Sequence, residues 1–162
     1  AAVKTLNTDY TLDNSGSKVF HKYSNSGGDS LVVFLNKQFD AEPAFAKYKD
    51  YYKVFFLGEK GGRMSGVEYV GLGGHANGIP SKECIMYANP MKFFVAHELM
   101  HCMGLHHSFD NKGTHTFKIG QTENIMDYSH VSKYAKPNGT LTQISTWKWQ
   151  WEVLKSSNKK EV

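Results

Sequence analysis

Residues 97–107 read His-Glu-Leu-Met-His-Cys-Met-Gly-Leu-His-His, which contains the pattern His-Glu-x-x-His-x-x-Gly-x-x-His. His97 and His101 are four apart, so on a helix their rings leave the same face, with Cβ atoms about 5–6 Å apart. That spacing suits two nitrogen ligands held roughly 2.0–2.1 Å from one zinc ion. Glu98 lies about 100° round the helix from His97, beside the metal without being needed as a ligand. Its carboxylate is placed to accept a proton from a water that the metal activates. Gly104 is free to take a positive φ, end the helix and turn the chain back. His107 then approaches the same ion from another direction. Three imidazoles and one open position are the donor set of a catalytic zinc site, whereas structural sites are closed by four protein ligands. The five fixed residues recur by chance about once per million windows, even in a chain rich in His and Gly.

The elements around this motif are legible to different degrees. Asn89 is a suitable N-cap and Pro90 a suitable first helical residue. From there the run 91–103 is predicted as a helix up to Gly104. Upstream, residues 13–30 read as loops around a short strand. SLVVFLNKQF (30–39) has the β-branched and aromatic content of a buried strand. EPAFAKYKDYY (42–52) reads as a short helix with Pro43 near its start. YKVFFLGE (52–59) reads as a second strand, ended by a turn at EKGG (59–62). SGVEYVGLGGHANGIP (65–80) starts strand-like, and its glycines suggest an edge or bulged strand. ECIMYA (83–88) is a short apolar strand. Near the end, Ile144, Trp147, Trp151 and Leu154 fall at helical spacing, with Thr140 or Thr142 as cap, and are expected to pack into the core. Strands first, one central helix, then an irregular stretch and a terminal helix make the expected class α+β.

HELMHCMGLHHS resembles the zinc-binding consensus of the metzincin clan of metallopeptidases. Such enzymes carry a second signal downstream, a tight turn whose methionine lies beneath the metal. Here NIMDYS (124–129) stands in that place, with Met126 nineteen residues after His107. HHSF together with TENIMDYS is most similar to the pappalysin (cytophagalysin-like) family. There are departures. Met100 stands where many relatives have Gly, the segment from His107 to Met126 is short, and the cysteine-rich pattern near the Met-turn is missing. The resemblance implies a metzincin-like zincin domain over 1–162, with an upper part of about 1–104 and a lower part of about 105–162. It also implies that Tyr128 is a zinc ligand or transition-state donor, as the tyrosine at that offset is in astacins and serralysins. A core tyrosine is the plainer alternative. Met126 would be an apolar floor, and Asp127 would fix the turn through backbone hydrogen bonds. Substrate would lie extended along an edge strand near 70–79, bringing Gly73, Gly74, His75 and Ala76 to the cleft. By the same analogy, Ser129 and His130 would shape the pocket for the side chain after the cut. His75 read on its own is more readily a surface histidine.

The expected activity is that of a zinc endopeptidase acting on protein or peptide substrates, secreted or otherwise outside its cell of origin. Two alternatives stand beside it: the peptidase module of a larger bacterial effector or toxin, and a zinc-bearing binding domain without turnover. One catalytic Zn2+ is expected. Ca2+ has only Asp110 and Asn111 to hold it, far short of six to eight oxygens. His106 has the wrong offset for a ligand, and His21, His115 and His130 have no evident metal partner.

Bulk properties narrow the field further. The 162 residues are 40% hydrophobic and 21% charged with a net charge of +4, a soluble globular composition large enough for one core-bearing domain. No basic stripe interleaved with aromatics supports nucleic-acid binding. No run of about 20 apolar residues could span a bilayer, and the first residues carry no signal peptide, though one or a propeptide could precede them. A monomer is expected. Cys84 and Cys102 match no CxxC motif, and two readings stay open: buried thiols or a disulfide.

Overall fold

The structure is a computed structural model and describes residues 19–21, 30–58, 60–65, 68–88, 90, 93–131, 134 and 142–157. It is a mixed arrangement of two small sheets and a few helices, compatible with the α+β expectation. The strands are β1 (Val19–His21), β2 (Lys53–Phe56), β3 (Lys60–Ser65), β4 (Glu68–Leu72), β5 (Gly74–Ala76) and β6 (Glu83–Met86). The helices are α1 (Ser30–Asp40), α2 (Phe94–Cys102) and α3 (Lys148–Ser157), with a 3-10 turn at Pro43–Tyr48. One sheet has the order β1-β3-β4 and the other β2-β6-β5. In each, the first pair is parallel and the second antiparallel. The chain passes between the sheets at Gly73, directly from β4 into β5. No helix among the described residues is long and apolar enough to cross a membrane.

Several expectations are met. β1 is the short strand expected within 13–30, β2 and β6 lie within YKVFFLGE and ECIMYA, and the 3-10 turn opens at Pro43. The glycine-rich stretch 65–80 does hold edge strands, but two of them, β4 and β5, in different sheets.

Four expectations are corrected. SLVVFLNKQF is not a strand but most of α1. Leu31, Val32 and Leu35 are buried against Ile85 and Tyr87, with Phe34 beside them, while Val33 is 63% exposed. That is a 3.6-residue period, and it overrides the β-branched composition. The turn expected at EKGG is instead the start of β3, from Lys60. Its Gly61 is buried because the Tyr87 ring lies on it; a Cβ there would stand 2.0 Å from that ring.

The other two corrections concern helix starts. α2 begins at Phe94 and not at Pro90, which is outside the helix, and the N-cap is Phe93 with no side-chain capping bond. Asn89 lies outside the described residues. The Phe93, Phe94 and His130 rings pack together there, with centroids 5.1–5.4 Å apart, so tertiary contacts fix this end. The terminal helix begins only at Lys148, and of its expected stripe Leu154 is core, while Ile144 is 67% and Trp151 49% exposed. Residues 143–145 run extended instead, hydrogen-bonded to 123–125: Ile125 N–H donates to Ser145 O at 2.8 Å and Ile144 N–H to Glu123 O at 3.0 Å. Thr142 is six residues short of the helix it was expected to cap, and Thr140 lies outside the described residues. α3 buries Gln150 and Leu154, with Trp149 and Val153 packed against Leu105 and Met126.

Candidate metal centre

α2 packs on β5 and β6, and this places its polar face. His97, Glu98 and His101 are all buried there, although the helix is only nine residues long. Gly104 follows with φ +99°, as expected from its place in the motif. Its N–H donates to His101 O and Leu105 N–H donates to Met100 O, both at 2.9 Å, closing the helix end. The turn carries His107 back to the other two histidines.

The three imidazoles converge. His101 Nε2 is 3.1 Å from both His97 Nε2 and His107 Nε2, and the three ligand atoms all lie within 4.8 Å of one another. Nitrogens held 2.0–2.1 Å from a tetrahedral ion stand about 3.3–3.4 Å apart, within the same span. The tautomers favour a cation as well. His97 Nδ1–H donates to Ile125 O at 2.7 Å, and His101 Nδ1–H donates to Leu105 O at 2.6 Å. A carbonyl only accepts, so in the neutral rings both protons sit on Nδ1 and both Nε2 lone pairs face inward. Those lone pairs cannot hydrogen-bond to each other, and a shared cation satisfies both. Backbone acceptors on Nδ1 are the usual means of orienting metal-bound histidine. Among the described residues this is the one group of three or more His, Cys, Asp or Glu so arranged.

Burial keeps the site neutral. His97 and His107 are lowered from 6.5 to about 4, in each case chiefly by desolvation, with a neighbouring histidine adding to the shift. His101 is lowered further, to about 2, by desolvation and then by His97 and His107. The unfolded chain takes up protons below about pH 6.5 while the folded histidines stay neutral to about pH 4 or lower, so stability present above 6.5 is lost as pH falls through this window. The expected cost is about 1.4 kcal/mol per buried imidazole per pH unit. Urea unfolding of the metal-free protein from pH 7 to pH 4 checks this; a midpoint flat across that range contradicts it.

Gly104→Ala is a second local test. A Cβ there has room, with its nearest neighbour, a Val153 methyl, at 3.8 Å, so the cost is backbone strain alone. We expect a loss of about 1–2 kcal/mol in stability. If that strain is relieved by displacing His107, metal affinity falls roughly tenfold. Competition with a chromophoric chelator measures it.

The other motif residues surround this trio. Met126 is fully buried with Leu105 and Leu154, between the loop that orients His97 through Ile125 and the turn that orients His101 through Leu105. Ser108 N–H donates to Met126 O at 2.9 Å and joins the two segments. Tyr128 stands beside two of the histidines, its ring 4.7 Å from His107 and 6.1 Å from His97 between centroids. Asp127 is fully buried, and its carboxylate accepts from Gly120 N–H, Thr122 N–H, the Thr122 hydroxyl and Tyr128 N–H at 2.6–2.8 Å. It fixes the turn in the way its position suggested. His130 packs on Phe93 and Phe94 within 6.0 Å of the Tyr128 ring, while Ser129 beside it is fully buried.

The residues expected along the cleft are placed unevenly. β5 carries Gly74, His75 and Ala76 and pairs only with β6 among the described residues, so its other side is a sheet edge. His75 is not the surface histidine its sequence suggested. It is 4% exposed, stacked on Tyr87 and within 3.3 Å of that hydroxyl through Nδ1. The Phe94 ring lies over Gly73. His106 turns away to Asp110, at 3.5 Å, and Asp110 also accepts from Lys112 N–H, so this carboxylate serves its own loop. His115 packs edge-on against Trp149. The side chain of His21 lies outside the described residues.

Sequence reasoning missed the supports. Phe109 stacks on His107 at 4.8 Å with planes 9° apart. Asn124 and Gln150, both fully buried, exchange two amide hydrogen bonds at 2.8 and 3.2 Å. Asn124 also accepts from Met126 N–H, and Gln150 from Trp147 N–H. Gln143 donates to the carbonyls of Ile125 and Asp127. Phe109 had a weak signal next to the motif, but the glutamines had none, because polar residues in an α3-type segment read as solvent-facing.

No protein-family model, no curated protein and no solved structure matches this chain.

Proposed function

We propose that the chain is a zinc-dependent endopeptidase of metzincin type. The observation that carries this reading is the convergence of three neutral imidazoles from His97, His101 and His107, with Glu98 buried on the same helix. An all-imidazole set suits zinc, as it does copper, iron and nickel; the metzincin-like motif favours zinc among them, and three protein ligands would leave a coordination position open. Zinc bound there supplies a Lewis acid for a scissile carbonyl and lowers the pKa of a water toward about 7.

The chain's own residues do the rest. Glu98 takes the proton of the attacking water and delivers it to the leaving amine. Tyr128, beside His107 and His97, offers a phenol to the oxygen on which charge develops; donors of that kind are worth about 3–4 kcal/mol of barrier. The edge of β5 offers main-chain groups to an extended substrate, while Phe93, Phe94 and His130 form an aromatic wall at the start of α2. Met126 and the Asp127-centred turn keep Tyr128 and the Ile125 carbonyl in place.

The test uses the full chain. Elemental analysis of folded protein is expected to give one zinc per chain, and an unfolded protein such as casein is expected to be cleaved. A phenanthroline chelator is expected to stop cleavage and added zinc to restore it. Zinc without cleavage of any unfolded protein would replace the peptidase with a zinc-bearing binding domain. Folded protein that takes up no metal would remove both readings.

A further inference from the structure

Cys84 and Cys102 are the only cysteines in the chain, and they meet in the core. Cys84 lies in β6, the central strand of its sheet, and Cys102 is the last residue of α2. Both are free thiols, 0% and 1% exposed. The packing of α2 on β6 sets them beside each other, and each thiol's ionisation is shifted chiefly by the other. The corner around them is held by other bonds. Ser81 N–H donates to Cys102 O at 3.0 Å, the Ser81 hydroxyl lies 3.3 Å from Cys102 Sγ, and Cys102 Sγ–H donates to Glu83 O at 3.3 Å. The backbones bearing the two sulfurs are therefore brought together by contacts that need no disulfide.

We propose that Cys84 and Cys102 are a covalent modification site: in an oxidising medium they close to an intramolecular disulfide that rivets the end of the metal-binding helix to the central strand. The oxidant is a small-molecule disulfide such as oxidised glutathione. One cysteine, as thiolate, attacks it to give a mixed disulfide and release one thiol. The second cysteine then attacks the protein-bound sulfur and releases the other thiol. In sum, two protons and two electrons pass from the protein to the oxidant. Because both sulfurs are shut off from solvent, the bond forms while this corner is still open during folding and is protected from reductants afterwards. Cys102 stands between His101 and the Gly104 turn that returns His107, so the rivet steadies the helix end on which two of the three imidazoles depend. The inference is independent of whether the histidine site is catalytic.

The experiment refolds the denatured, reduced full chain in a glutathione redox buffer and, in parallel, in reductant. Intact mass and thiol titration in denaturant are expected to show loss of two hydrogens and no free thiol in the first sample, and two thiols in the second. The closed loop spans residues 84–102, and a loop of that length is expected to raise the thermal midpoint of the metal-free protein by about 6–12 °C. The Cys84→Ala, Cys102→Ala double variant is expected to match the reduced protein and ignore reductant. Should that variant not fold, mass and thiol count of the unaltered chain decide alone. Two titratable thiols after oxidative refolding, or bonding only between chains, would overturn the proposal. So would an intramolecular bond that leaves the midpoint unchanged, because it would not be a rivet.

Discussion

On the proposed peptidase reading, Glu98→Ala is expected to keep the metal and to lower peptide cleavage by about 10²–10⁴-fold, the usual contribution of a positioned general base. The expectation follows from geometry. The nitrogens that converge belong to His97, His101 and His107, so a metal does not need the carboxylate. Glu98 is nevertheless buried in the same turn of α2, next to the first of them. Alanine is the best helix former, so the substitution does not break α2. Zinc content per chain and cleavage rate, measured on the same preparation, separate the two roles. Equal rates for both proteins would show that another group handles the proton. Loss of zinc would show instead that Glu98 helps hold the metal.

Asp127→Ala is expected to be the most damaging substitution for stability, at about 3–5 kcal/mol. The carboxylate has no solvent access and accepts four hydrogen bonds, three of them from backbone N–H groups. Removing it leaves those donors without a partner in a closed space, where an unsatisfied donor costs more than a hydrogen bond contributes when made. The effect also reaches the metal. The same turn carries Ile125, whose carbonyl orients His97, and Tyr128, whose ring lies against His107. Loss of such an orienting partner lowers metal affinity by about 10–100-fold. Urea unfolding of the metal-free protein together with chelator competition measures both effects. A loss below about 1 kcal/mol would mean that Gly120, Thr122 and Tyr128 find other acceptors.

The two substitutions differ in how visible their residues are in the sequence. Glu98 is marked by local spacing: His97, Glu98 and His101 belong to one helical turn, and helix geometry alone sets their relative directions. Gly104 is marked too, because its φ of +99° is a conformation that glycine adopts without strain. The three-histidine convergence was therefore legible without any fold. The class was legible as well, since short apolar runs and one long uninterrupted helical run already imply mixed α and β elements.

What the linear pattern could not supply was anything decided by a partner distant in sequence. SLVVFLNKQF has strand-like residues, yet one helical face of it buries against Ile85 and Tyr87, and burial of that face outweighs intrinsic propensity. Ile144 and Trp151 carry the hydrophobicity expected of a core, but 143–145 are committed to hydrogen bonds with 123–125 before α3 begins. That commitment rotates Gln150 into the interior, where Asn124 satisfies it. His75 is polar and sits among glycines, but its strand pairs with β6 and turns it onto Tyr87. In each case a side chain's environment depended on which segment lay across from it. The grouping of His97, Glu98, His101 and His107 and the Gly104 turn were thus determined by the sequence itself, through contacts within about ten residues. The Ile125 carbonyl that aims His97, the buried Asn124–Gln150 amide pair and the meeting of the two thiols were decided by tertiary structure alone, because their partners lie 18 to 28 residues away.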